Sequence, residues 1–219
     1  MQTPELESAG KNLDLSALNP EAGHHAMPSD PDVIAAALRA GAKAWASFPY
    51  LARRFGERGM RFTRSDSCWL ATLADLEQTQ AEDQALWLWR VLSFRGIPSV
   101  ILETHLDLLS DELGHLPKHS GHEKLRLAAD VLRAQRARVM EGDLFVRLSE
   151  ELEGSLRSLG LPPRSGNVLL SAFADEICGI SGAREKTQSW IESVLAPEEA
   201  AQFRQAAARV FRKALEARS

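Results

Sequence analysis

The chain has 219 residues, 44% hydrophobic and 26% charged, with a formal net charge of −4 and a pI of about 5.9. That balance belongs to a globular protein with a substantial core; it argues against a polybasic nucleic-acid binder, and no apolar run nears the ~18 residues of a membrane-spanning helix. Two cysteines, Cys68 and Cys178, lie far apart and outside any CxxC pair, and the first thirty residues contain no apolar signal segment, so a reducing, cytoplasmic setting is expected.

Residues 1–29 scatter Pro, Ser, Gly and Asn without periodicity and read as a mostly disordered tail; its His24-His25 pair is weak evidence for a metal. Asp30 before Pro31 is an N-cap and N1 pair that opens "DVIAAALRAGAKAWASF". Asp66 is placed to cap "SCWLATLADL", and Thr79 with Glu82 forms a capping box ahead of "ALWLWRVLSF". The helix over 82–95 is apolar nearly all the way round and is expected to be the surrounded, central element, with Trp87 and Trp89 among its costliest residues to lose.

"RGIP" ends that helix at Gly96 and starts the next at Pro98, giving "SVILETHLDLLSDEL". Ser120 with Glu123 makes a second capping box for "KLRLAADVLRAQRARVM", and Asp143 caps "LFVRLSEELEGSL". "LGLPPRSGN", residues 159–167, is the strongest internal boundary. Beyond it, the last segment carries Phe203, Ala207, Val210 and Ala214 at helical spacing, a stripe that fits the main body or a second subunit, and so a homodimer. No segment alternates with period two. The fold class expected is all-α: a core domain over 30–158, an irregular helical bundle, and a helical extension over 159–219.

Four groups of residues carry candidate chemistry. His105 lies mid-helix, about 70° from the centre of the stripe formed by Leu102, Leu106, Leu109 and Leu113, where an imidazole can border a cavity. The same helix continues to Glu112 and His115, an ExxH pair whose donors, with His105, suit a metal. The following turn adds His119 and His122, read first as a solvated histidine-rich loop. Cys68, placed at an expected helix start behind a run of arginines, is a candidate nucleophile because such a position lowers a thiol pKa. No glycine-framed serine, P-loop or dinucleotide fingerprint is present.

The fourth group is the run "RRFGERGMRFTRSD", which holds Arg53, Arg54, Arg58, Arg61 and Arg64 with two glycines and two phenylalanines. Gly56 and Gly59 allow a sharp turn, Phe55 and Phe62 can anchor it, and the guanidinium groups can bind carboxylate or phosphate bidentately. The plainer reading is a surface corner paired to acids such as Asp75, Glu77 or Asp111.

The order of helix, "RGIP", helix with His105, polar turn and two further helices, over residues 80–158, resembles the E to H helices of globin-like proteins and the corresponding region of phycobiliproteins. The resemblance implies His105 where globins ligate haem iron, with the arginines meeting tetrapyrrole propionates. Globin-like folds without a cofactor also serve as sensory domains. With no catalytic constellation visible and arginine concentrated locally in an acidic chain, the function expected is a non-enzymatic sensory or regulatory protein that holds a small anionic ligand or a partner protein in a cleft shared by the arginines and His105. The alternatives are a tetrapyrrole or metal protein using His105, Glu112 or His115, and an enzyme using Cys68. Neither nucleic acid nor membrane is an expected partner.

Overall fold

Asp30 and Pro31 set the first helix as the sequence implies: the Asp30 carboxylate accepts the Asp32 N–H at 2.8 Å, and Pro31 occupies the first helical position. From there the computed structural model, which describes residues 14–117 and 120–217, is all-α, with no sheet among those residues. The helices are α1 (Pro31–Ser47), α2 (Pro49–Thr72), α3 (Gln78–Phe94), α4 (Ser99–Gly114), α5 (Glu123–Ala137), α6 (Gly142–Leu156), α7 (Ser165–Ile177), α8 (Ala183–Ser193) and α9 (Pro197–Glu216). No helix among the described residues is long and apolar enough to cross a membrane.

Two apolar clusters make the interior. One gathers α1, the second half of α2, α3, α4 and α5 around Leu70, Leu106, Leu109, Leu113 and Leu132. The other gathers the start of α2 with α6, α7 and α9 around Phe48, Tyr50, Leu152, Leu169 and Phe203. α4 belongs to both, giving Val100 and Ile101 to the second cluster and its leucines to the first. Segments on either side of the 159–167 turn thus share the second cluster. The α9 stripe of Phe203, Ala207, Val210 and Ala214 is buried within the chain, with Phe211 stacked on Phe173 of α7 at 4.4 Å between centroids.

The expected central helix is not central. α3 buries one side, through Ala81, Ala85, Leu88 and Trp89, but Trp87 is 49% and Phe94 60% exposed. α4 is the surrounded element, with 11 of its 16 residues buried, among them Ser99, Glu103, His105, Ser110 and Glu112. It packs on α1, α5 and α7. Apolar content pointed to α3; what singles out α4 is that its polar side chains find partners inside the fold.

Local signals also differ in detail. α2 runs on through Asp66, which therefore caps nothing; the turn expected there survives as a kink at Gly56, whose φ of 54° is a conformation that suits glycine. Thr79 and Glu82 form no capping box, because the N-cap is Glu77 and Glu82 instead accepts from Gln78 Nε2 at 2.7 Å. His122, not Ser120, precedes α5, and Asp143 sits inside the first turn of α6 behind Glu141. Residues 14–29, assigned to the disordered tail, are packed: Leu15, Asn19 and Met27 are buried, and Leu15 N–H donates to the His25 carbonyl at 3.0 Å. The earlier part of that tail, residues 1–13, lies outside the described residues.

These placements invert the expected ranking of substitutions. Leu106→Ala or Leu109→Ala in α4 is expected to cost about 2–5 kcal/mol, whereas Phe94→Ala in α3 should stay within about 0.5 kcal/mol. Urea denaturation of the three variants measures the contrast, and a Phe94 variant as unstable as the leucine variants would place α3 inside the core after all.

Candidate functional site

The arginine run does not converge. Arg53 Nη1 donates to the Gly160 carbonyl at 2.8 Å. Arg54 turns toward α8 and the end of α3, donating to the Tyr50 hydroxyl and, at 3.3 Å, to the Gly96 carbonyl. Its guanidinium also lies 5.0 Å from the centre of the Phe55 ring and 5.8 Å from that of Trp190, within cation–π range. Arg58 grips Glu21 through Nε at 2.9 Å and Nη2 at 2.6 Å, and Arg61 reaches the same carboxylate at 3.5 Å. Arg58 holds the Glu21 carboxyl below its usual range. Arg64 is exposed and has no ion pair among the described residues. Neither Asp75, Glu77 nor Asp111 serves the run; Asp111 pairs with Arg126. The acid that does is Glu21, from a stretch with no regular pattern to announce it.

His105 is buried and, among the described residues, contacts none of these guanidinium groups. Its Nε2 lies 3.0 Å from Ser67 Oγ, and that hydroxyl donates its only proton to the Thr63 carbonyl at 2.6 Å. Nε2 must therefore carry a proton and donate to the serine, and burial, which disfavours the charged form, keeps the ring neutral. This polarity is the reverse of a serine activated by a histidine base. The helices meet closely here: a side-chain carbon on Gly41 of α1 would fall 2.3 Å from Ser67 Oγ. Burial pushes the His105 pKa down to about 4.

The proposed metal set is likewise dispersed. Glu112 accepts from Lys43 Nζ at 2.5 Å and Arg39 Nε at 2.7 Å, contacts that hold its carboxyl below the usual range. His115 is exposed just past the end of α4. Among the described residues no three His, Cys, Asp or Glu side chains form a group that could hold a metal ion, and His119 lies outside those residues. A tetrapyrrole fits no better, since Nε2 of His105 is taken by Ser67 and the arginines expected at its propionates bind carbonyls and Glu21. Cys68 sits well inside α2, not at a helix start, and burial pushes its thiol up to about 11. It is the least nucleophilic form of the residue.

What sequence reasoning missed is the outer face of α3. Asp83, Gln84, Trp87, Arg90 and Phe94 are all exposed there, with Val91 half-buried among them. Trp69 of α2 meets Trp87 edge to face at 5.9 Å, and Lys186 of α8 stands 6.0 Å from the Phe94 ring centre. Arg95 closes the helix and faces Asp66, whose carboxyl burial pushes up to about 6 against the opposing pull of that arginine. The spacing of Trp87, Val91 and Phe94 was visible in the sequence, but in a helix apolar on every side it could not be told from core packing. Comparison with protein-family models, with curated proteins and with solved structures finds no match for this chain.

Two outcomes follow from the buried groups. Unfolding restores the His105 pKa from about 4 to its ordinary 6.5. The unfolded chain therefore binds the extra proton between those values, and acidification destabilises the fold by up to about 3 kcal/mol through this residue. His105→Asn, which does not titrate, removes that component, so the stability gap between wild type and variant should narrow from pH 7 to pH 4.5 in urea titrations. A gap independent of pH would mean the imidazole is solvated. For Cys68, a thiol reagent at neutral pH should leave it unmodified in the native protein and label it only in denaturant; rapid native labelling would restore it as a nucleophile.

Proposed function

We propose that this is a regulatory helical protein that works by protein–protein contact through the outer face of α3. The observation that carries the reading is the exposure of two large aromatic side chains one above the other on a helix, Trp87 at 49% and Phe94 at 60%. Isolated exposed apolar residues need no explanation, but an aromatic cluster ringed by polar groups is how docking surfaces are built. Trp69, half-buried, supports Trp87 from the neighbouring helix and holds it in one orientation, which lowers the entropy lost when a partner covers it. Tryptophan and arginine are the residues that most often dominate such contacts, and Arg90 and Arg95 lie beside the pair.

A small anionic ligand held by the arginine run has less support, because four of its five members already bind carbonyls or Glu21. The sensory reading thus moves from the α2 kink to the adjoining face of α3.

A photoreactive benzoylphenylalanine placed at residue 94 should give discrete cross-linked products in cells, and Trp87→Ser should abolish them. The same probe at Val146, an exposed apolar position on α6 whose aromatic neighbour Phe145 is buried, serves as the comparison. Equal labelling from both positions, or products indifferent to Trp87, would remove the docking reading.

A further inference from the structure

Charge is arranged along the α3 face in a way that selects an occupant. Asp83 stands four residues before Trp87 and Arg90 three residues after it, so at 100° per residue both lie on the same edge of the exposed stripe. From Gln84 to Leu102 the sequence contains no Asp or Glu, so the face is acidic at Asp83, in the second turn, and basic toward its end, where Arg95 and Lys186 join Arg90. Neither Asp83 nor Arg90 makes a side-chain hydrogen bond or ion pair among the described residues, while Arg39, Lys43, Arg126, Arg133 and Arg136 are all paired. Unpaired cations occur elsewhere, as at Arg147, but not beside an exposed aromatic pair.

Building on the docking reading above, we propose that the α3 face binds a second copy of this chain, its α3 antiparallel to the first. A two-fold axis passing beside Trp87 stacks that residue on its mate. It also sets Asp83 of each protomer over Arg90 of the other, because both lie on the edge that such an axis preserves. Phe94 then packs over the first turn of the partner helix. The pattern is self-complementary, as a two-fold contact demands, and a closed dimer is the commonest way a soluble protein covers such a face. A parallel two-fold would carry these edge residues to opposite sides of the contact and lose the Asp83–Arg90 pairing. Nucleic acid and anionic lipid fit less well because Asp83 shares the exposed edge with Arg90.

Sedimentation velocity of the full chain over 1–100 μM, at low and high salt, reads the association directly against the 24.1 kDa monomer. The expected result is a reversible dimer whose dissociation constant rises at least tenfold in Trp87→Ser. Asp83→Arg alone and Arg90→Asp alone should each weaken it about tenfold, by setting like charges opposite one another. The double variant Asp83→Arg with Arg90→Asp should return to within about threefold of wild type, since the two charges exchange places across the axis. Both positions are exposed and unpaired, so folding is spared, and circular dichroism checks it. A monomer at all concentrations, or a double variant as weak as the two losses combined, overturns the proposal. If the chain is monomeric while residue 94 still gives Trp87-dependent cross-links to a different protein, the self-association is wrong but the docking face stands; cross-links to a nucleic acid instead would overturn the protein-docking reading too. If those cross-links also vanish, both fail.

Discussion

α4 is held in place by polar contacts that only one rotation of the helix can satisfy. Ser99 meets Asp175 and Ser171 of α7, Glu103 meets Arg136 of α5, His105 meets Ser67 of α2, and Glu112 meets Arg39 and Lys43 of α1. An apolar helix can slide or turn in a greasy pocket at modest cost. A helix tied through carboxylates on two of its sides cannot, and at Glu103, whose partner Arg136 keeps only 11% of its side chain exposed, losing one member of the pair costs about 3–5 kcal/mol. The leucines of α4 supply attraction without direction; its polar residues supply the direction. Burial raises the Glu103 carboxyl in spite of Arg136, and raises Asp175 in spite of its hydrogen bonds, so these contacts limit a desolvation cost more than they add stability.

Buried Asp175 and half-buried Glu153 and Glu176 extend the same logic to helix ends. Asp175 of α7 accepts the Ser99 N–H at the start of α4 at 2.8 Å. Glu153 of α6 accepts the N–H groups of Arg164 and Gly166 at the start of α7, and Glu176 of α7 accepts that of Arg184 at the start of α8. Each acid satisfies the orphan donors of another helix and lies near the positive end of its dipole. Capping thus becomes a tertiary contact: one helix cannot begin where it does unless its neighbour is already docked.

This explains which features could be read from the chain and which could not. Asp30 with Pro31, and the Glu199 side chain accepting the Ala196 N–H at 2.9 Å, are local devices written within a few residues. The all-α class and most helix positions were equally legible, since periodicity is local. Caps supplied by Glu153, Asp175 and Glu176 reach across helices to α7, α4 and α8, while α3, α5 and α6, for which Thr79, Ser120 and Asp143 were expected, begin with no side-chain cap. The same distance hid Glu21 from Arg58, because nothing in either stretch names the other. Ranking α3 above α4 was an error of a different kind. Counting apolar residues measures how much a helix could bury, while the rank of α4 depends on partners for Glu103, His105 and Glu112 that sequence spacing does not reveal.

The candidate site moved for the same reason. His105, Glu112, Cys68 and the arginines were chosen because such groups do chemistry when they are exposed or poised, yet most are consumed by the architecture. A neutral imidazole donating to a serine, a carboxylate held by two cations, and a thiol driven toward its protonated form have no free capacity for substrate. α3 shows the complementary pattern. Its inner side is filled by small residues and two large ones, Leu88 and Trp89, whereas its outer side keeps Trp87, Arg90 and Phe94 without partners that would occupy them. This fold pairs its buried charges across helices and leaves an aromatic face exposed on α3; the docking proposed for that face would depend on apolar contact and charge register, with no need for a reactive group.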